Sequence, residues 1–446
     1  MTGTVSEGTP SRVGLVGIGI GPANLGLSAL LDPAPRLVTR FFERRKRFTW
    51  HDGAMLPGAS LQVSPLKDLV TLVDPTSRFS FLNFLAERGR LYRHLIASRG
   101  GTSREEFEQY YRWAAALMPQ LEFGAEVDEV RLEEGRFVVS GARRPLASTR
   151  TLVLGTGRVP YVPDSVVHSG DHVLHSAELM HRRPVTRGRR VVVIGGGQSG
   201  AEVVHWLLED RDALPASLVW TTRRDGFLPL DDSAFSNEWF FPGYVRHFGR
   251  LGAARRDALL RGQRMASDGV SAELLDAIHG QLYRLDALRP GSCSYRLSPG
   301  QELVAVDGPG DGPVTVVTRD MDTDSVVTEQ ADVVVLATGY QYRIPRFLDP
   351  LRELIPLDGD GYRVRDDYSI DFDGPEGCRI FVQGAAARTH GVADANLSLM
   401  AWRNAVIANA VTGRQLYRTE KETTTLDWSP EPGRTAGTPS ERTAHA

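Results

Sequence analysis

Two strand–turn–helix units with glycine at the turn constrain this chain more than any other feature. The first runs Val13-Gly-Leu-Val-Gly17-Ile-Gly19-Ile-Gly21-Pro22-Ala-Asn-Leu-Gly-Leu-Ser28, and the second Arg190-Val-Val-Val-Ile-Gly195-Gly-Gly197-Gln-Ser-Gly200-Ala-Glu-Val-Val-His-Trp-Leu-Leu208. In each, a β-branched run enters a tight glycine turn and leaves as an apolar segment of helical period. Such a turn suits a dinucleotide, because backbone N–H groups and a helix N-terminus must meet a pyrophosphate and only glycine lets the main chain come that near. Two units predict two Rossmann-like dinucleotide-binding domains of α/β class, which 446 residues can accommodate.

Two short apolar strands, Thr151–Gly157 and Asp332–Gly339, both end in Thr-Gly and flank the second unit. The economical reading is a discontinuous domain, residues 12–170 and 326–418, interrupted by an inserted domain at 185–325. Two consecutive domains are the alternative. The inserted part carries a small, mainly helical substrate-binding segment at about 230–290. The ends, 1–11 and 419–446, are rich in Thr, Ser, Pro, Gly and Glu and are expected to be disordered, since they bury too little apolar surface.

The two turns differ chemically. At the first, Gly17 and Gly19 fill the leading positions and Pro22 stands third beside Gly21, where a helix tolerates proline. The following strand ends in Glu43, an acid about 20 residues beyond the turn. A carboxylate there accepts from a ribose 2′-OH and repels a 2′-phosphate, so this site suits FAD. At the second, Gly195, Gly197 and Gly200 are in full register, with Gln198 and Ser199 opening the helix. The next strand, Ser217–Thr222, ends in Arg223-Arg224. Two guanidinium groups there pair with a 2′-phosphate, which points to NADPH; a solvated turn is the bland alternative.

Composition narrows the remaining chemistry. Lys+Arg 52 against Asp+Glu 55 gives no reason to expect nucleic acid or an anionic membrane as partner. The two cysteines, Cys293 and Cys378, form no CxxC pair, so a disulfide reductase is nearly excluded. No metal-ligating cluster stands out among the 11 histidines. The N-terminus lacks a secretory pattern and no apolar run approaches the ~20 residues of a membrane span, so a cytoplasmic protein is expected. What remains is flavin with dioxygen, or flavin with a protein electron acceptor.

Further segments carry a resemblance. They are Phe48-Thr-Trp-His51-Asp-Gly, Leu61-Gln-Val-Ser-Pro-Leu-Lys67-Asp-Leu, Asp74 to Leu85, Ser103 to Trp113, Ala337-Thr-Gly-Tyr340 and Thr389 to Ser398. Together with the Gly-Gly-Gln-Ser-Gly turn they resemble the flavin-dependent N-hydroxylating monooxygenases of siderophore biosynthesis, from Val13 to about Arg414. Phe235-Ser-Asn-Glu-Trp-Phe, Met265-Ala-Ser-Asp-Gly and Ser398-Leu-Met-Ala-Trp-Arg403 resemble most the lysine N6-hydroxylase branch.

This resemblance implies an NADPH- and O2-dependent hydroxylation of the terminal amine of lysine. A C4a-hydroperoxyflavin would be attacked by the neutral nitrogen, and the subunits would associate, as a tetramer in this family. Ornithine or a diamine (cadaverine, putrescine) is the near alternative; an NADPH–flavin electron-transfer reductase is the rival of another class. By the same likeness, Lys67 and Asn237 hold the amino-acid end of the substrate. Trp50, His51 and Gln62 lie beside the isoalloxazine, Arg104 is a flavin-side arginine, and Thr338, Gly339, Tyr340 and Leu397 line the cofactor. Ser398 touches substrate or flavin, or caps a helix. Asp268 caps the helix that follows it, or holds a substrate ammonium. His390 orders its turn.

Overall fold

The computed structural model describes residues 10–98, 101–167, 170–308, 312–394, 396–420 and 424–428. The first glycine strand, Leu15–Ile18, is fully buried and lies between Thr39–Glu43 and Thr151–Leu154, parallel to both. Leu121–Phe123 and Arg379–Val382 extend this five-stranded parallel sheet on its two sides. Unbroken apolar runs such as Leu-Val-Gly-Ile form central strands here because helices and loops cover both faces. The strand order reverses beside Leu15–Ile18, and it is outside the carboxyl ends of the strands at such a switch point that open α/β sheets bind ligands.

The second sheet repeats the plan. Arg190–Ile194 lies between Ser217–Thr221 and Val333–Leu336, with Ser294–Ser298 and Val173–His175 at the outer positions, all parallel. This corrects the domain boundary read from the sequence. A boundary at 326 puts Val333–Leu336 in the first domain, yet its ladder is to Arg190–Ile194, and the preceding antiparallel meander (Gln301–Asp307, Val314–Asp320, Val326–Ala331) belongs with it. A Val-Val-Val-Leu run fits the middle of either parallel sheet, so periodicity cannot choose between them.

A polar feature fixes the choice. Asp332 accepts from the Arg190 backbone N–H at 2.8 Å and from its guanidinium at 2.6 and 3.2 Å, locking the two strands in register. These bonds, the Arg190 side chain's foremost, hold the Asp332 carboxyl at about 2. Since the native value lies below the unfolded one (about 3.9), the stabilisation is present above the unfolded value and lost as pH falls through the native one. Asp332→Asn should lower the unfolding free energy at neutral pH by about 1 kcal/mol, discounted for solvent screening of a half-exposed pair. In chemical unfolding across pH, the gap to the native protein should close on the acid limb; a pH-independent gap would contradict this.

A helical stretch follows Ser217–Thr221 and comprises Ala234–Asn237, Pro242–Gly249, Ala253–Gly262, Met265–Asp268 and Ala272–Leu288, the last packed in the second domain's core through Ile278, Leu282 and Leu285. The last helix, Met400–Thr412, packs on the first nucleotide helix, Pro22–Leu30, where Asn404 donates to the Ala23 carbonyl at 3.0 Å. A wall of buried rings (Phe81, Phe84, Phe107, Tyr110, Tyr111) backs the first site.

The described part of the C-terminal segment is held against the body, a second correction to the expected disorder. Thr425 N–H donates to the Glu238 carboxylate at 3.1 Å, and the Trp428 ring stands edge-on to buried Tyr244 at 4.7 Å. Apolar burial of the Trp428 indole supplies the gain that its polar neighbours lack. Residues 1–9 and 429–446 lie outside the described residues. Among the described residues, no helix is long and apolar enough to cross a membrane.

Candidate active site

At the first turn, the glycines are required for distinct reasons. A Cβ on Gly17 would strike the Phe41 ring at 2.1 Å, and Gly19 (φ +86°) runs so near the next strand that a Cβ would meet the Gly155 carbonyl oxygen at 2.6 Å. Gly21, by contrast, faces open space and caps Pro22–Leu30 without any side-chain bond. That leaves the helix N-terminus free for an anion. Asn24, fully buried, holds the turn by donating to the Gly19 carbonyl at 2.8 Å, and Gln383 orients Asn24 at 2.7 Å. Glu43 reaches the turn as well, accepting from Ile20 N–H at 2.8 Å and Arg45 N–H at 3.0 Å. An open helix end with a carboxylate at the neighbouring strand's tip fits a diphosphate joined to a ribose diol, as in FAD.

The second turn is built on Gly195 (φ +132°), where a Cβ would clash with the Ala337 carbonyl at 2.1 Å, and on Gly200, where it would meet the Gly195 carbonyl at 2.0 Å. Gly197 caps Gln198–Glu209 with no side-chain partner. Arg224 lies across it, donating to the Gly196 carbonyl at 3.3 Å and the Asp268 carbonyl at 2.8 Å. Burial first, then the charges of Arg264 and Arg223, lower the Arg224 pKa, while Asp268 opposes them. Three guanidinium groups against one carboxylate leave positive charge unanswered, which fits a 2′-phosphate. Arg223 itself is exposed beside the turn. Arg264 was not foreseen; its signal was an Arg–Asp pair at i,i+4 spacing.

The expected cap at Asp268 is a correction. Its carboxylate accepts from Arg264 Nε at 3.0 Å and Ser267 at 2.9 Å, and Ser271 occupies the cap of Ala272–Leu288. Two nearby arginines share this carboxylate, so it lies beside the second turn rather than at the start of the following helix.

The two sites meet at a junction. Trp50 packs edge-on to Tyr111 at 5.2 Å and lies 5.0 Å from His51. His51, in left-handed backbone (φ 51°), is open to solvent yet closely surrounded. Burial, then Arg104 and Arg45, lower its pKa to about 4. The ring is accessible yet crowded by its neighbours, and at neutral pH it carries no charge. Gln62 Nε2 donates to Gln198 Oε1 at 2.9 Å, and Gln198 Nε2 donates to Glu202 at 2.9 Å. Arg104, expected beside the flavin, makes a two-pronged ion pair with Glu202 at 2.6 and 2.8 Å. Tyr340 stands edge-on to His175, whose Nε2 meets the Gly339 carbonyl at 3.1 Å, and the Thr338 hydroxyl donates to the Tyr161 carbonyl. Glu202 was missed because an acid early in a helix reads as ordinary.

Within the first domain, Lys67 Nζ donates to Ser398 Oγ at 2.9 Å, and that hydroxyl donates to Asn396 at 2.9 Å. Asn396 is the cap of the Leu397–Leu399 turn, and Leu397 packs on the first core. Burial lowers the Lys67 pKa, with no carboxylate opposing it. Asn237 is exposed on its short helix, its amide donating to the Asp232 and Ser233 carbonyls at 2.8 and 3.2 Å. No direct contact joins it to Lys67. His390 is buried, stacked on Tyr368 at 4.0 Å, and burial lowers its pKa, which suits an ordering role.

Two dinucleotide turns of different charge, joined through Gln62–Gln198 and Arg104–Glu202, fit a flavoprotein that takes its electrons from a nicotinamide nucleotide. A sequence profile of the L-lysine 6-monooxygenase/L-ornithine 5-monooxygenase family matches residues 12–342. The L-lysine N6-monooxygenase of Escherichia coli is 37% identical over 420 residues, 93% of this chain and 98% of that protein. A cadaverine monooxygenase of desferrioxamine biosynthesis from Erwinia amylovora, solved with FAD, superposes with a TM-score of 0.87 at 32% identity, covering 95% of this chain and all (100%) of that one. The ornithine N-hydroxylase of Kutzneria sp. 744, solved with reduced FAD, NADP+ and L-ornithine, gives 0.82 at 31% identity over 90% of this chain and 99% of that one. The chain belongs to this family. It is an FAD-dependent N-hydroxylating monooxygenase that uses NADPH.

Proposed function

We propose that the amine is the side-chain nitrogen of L-lysine and the product N6-hydroxylysine. The observation that carries this reading is Lys67, a half-buried cation whose partner is a neutral hydroxyl, Ser398. A desolvated ammonium without a counter-ion favours an incoming carboxylate, which an amino acid brings and a diamine does not. Asn237, whose amide N–H groups serve its own helix while its side-chain oxygen accepts no bond there, would hold the α-amino group.

When bound, the flavin takes up reducing equivalents from NADPH and activates dioxygen; the protein's residues bind, orient and keep water out. At the junction, Trp50 and Tyr340 offer rings, the Glu202 carboxylate is taken up by Arg104, and the same guanidinium disfavours a second cation, so an uncharged nitrogen is favoured over an ammonium. An unperturbed alkylamine has a pKa of about 10.4, so the pocket must supply that preference. The cadaverine specificity of the Erwinia amylovora relative makes a diamine the second reading.

A substrate panel decides between them. With hydroxylated product as the readout, kcat/KM should be highest for L-lysine among lysine, ornithine, cadaverine and putrescine. A higher value for either diamine would replace the lysine reading.

A further inference from the structure

The residue at the centre of the junction belongs to neither nucleotide turn. Glu202 sits on the second nucleotide helix, Gln198–Glu209, whose Val203, Val204 and Leu207 are buried in the second domain's core. Its two oxygens receive Arg104 Nη1 at 2.8 Å and Nη2 at 2.6 Å, and one of them also receives Gln198 Nε2 at 2.9 Å. Arg104 opens the helix Arg104–Ala116, whose Phe107, Tyr110 and Tyr111 are fully buried in the other domain's core. Both side chains are nearly enclosed, at 16% and 10% exposure.

We propose that Glu202 is a positioning residue that sets the distance and angle between the two nucleotide sites for hydride delivery. The ion pair is a strut with each end fixed in a separate core. A two-pronged guanidinium–carboxylate contact is planar and therefore resists rotation as well as separation. Through Gln198 it also fixes Gln62, because one Gln198 N–H donates to Glu202 while its oxygen accepts from both Gln62 at 2.9 Å and Ser271 N–H at 3.0 Å. Without the carboxylate, the Gln198 amide can turn over, Gln62 loses its acceptor and Arg104 is left as an unpaired, enclosed cation. Each of these loosens the same joint. The inference rests on the FAD–NADPH reading and is independent of which amine is used.

The test separates joint geometry from cofactor binding and is run without amine. Glu202→Gln keeps size and removes charge. Its FAD dissociation constant, titrated by fluorescence on apoprotein, should stay within about twofold of native, while anaerobic flavin reduction by NADPH slows roughly 10- to 100-fold, as a misplacement of about 1 Å would produce. Reduction by dithionite, which needs no docked nucleotide, should not change. In the apoprotein, hydrogen exchange should quicken in peptides covering 101–107 and 198–209 and remain as in native at Leu15–Ile18. Glu202→Asp, which keeps the charge with a shorter reach, should fall between the two; should the Gln variant fail to fold, the Asp variant must still reduce more slowly than native. An unchanged NADPH rate would overturn the proposal. So would FAD affinity falling in step with that rate, or unaltered exchange at both helices.

Discussion

Lys67→Ala is expected to lower kcat/KM for L-lysine by roughly 10- to 150-fold, the equivalent of about 1.5–3 kcal/mol for a charged hydrogen bond removed from an enclosed place. The reason is local. Lys67 has given up water for one hydroxyl, Ser398, and burial alone lowers its pKa. A substrate carboxylate would satisfy the ammonium and draw that pKa back up. Cadaverine sets a second cation against Lys67 instead, so the same substitution should leave its turnover unchanged or raise it. The pH profile carries the same signature: lysine use should fall at the alkaline end as Lys67 loses its proton, a limb that cadaverine use lacks. Equal losses for both amines would mean that Lys67 supports the fold of its loop rather than the substrate.

Arg224→Ala is expected to raise KM for NADPH by roughly 10- to 150-fold while leaving KM for NADH within about twofold. Arg224 lies across the turn at Gly197, and its pKa is lowered by enclosure and by the neighbouring guanidinium of Arg264. The 2′-phosphate supplies the negative charge this cluster lacks. Added salt should weaken NADPH binding in the native protein more than in the variant, since phosphate contacts at a partly exposed site are screened. If NADPH and NADH suffer alike, Arg224 serves the turn itself, through its bonds to the Gly196 and Asp268 carbonyls.

How far these features were legible in the sequence follows from their range along the chain. The positions of both glycine turns, and of Glu43 and Arg223–Arg224 at the ends of the following strands, could be read directly, because each turn and its next strand lie within a single βαβ stretch. Val333–Leu336 could not be assigned to its sheet, since an apolar run says that a strand is buried but not between which neighbours. Lys67 and Ser398 stand 331 residues apart, and only the family likeness hinted at their meeting. Asp268 looked like a helix cap by position; the two arginines that take its carboxylate arrive from Arg224, beyond a different strand, and from Arg264, one helical turn before it. Glu202 carried no signal at all, because its meaning comes from Arg104 on another domain.

The central claim is that oxygen from dioxygen is placed on an uncharged terminal nitrogen in the cleft between the two nucleotide sites. The most direct measurement is mass spectrometry of the amine product after turnover with FAD, NADPH, L-lysine and 18O2. One labelled oxygen should appear on the side-chain nitrogen, formed in proportion to NADPH consumed. NADPH oxidation that proceeds with every amine of the panel but yields no labelled N–O bond in any of them would contradict it.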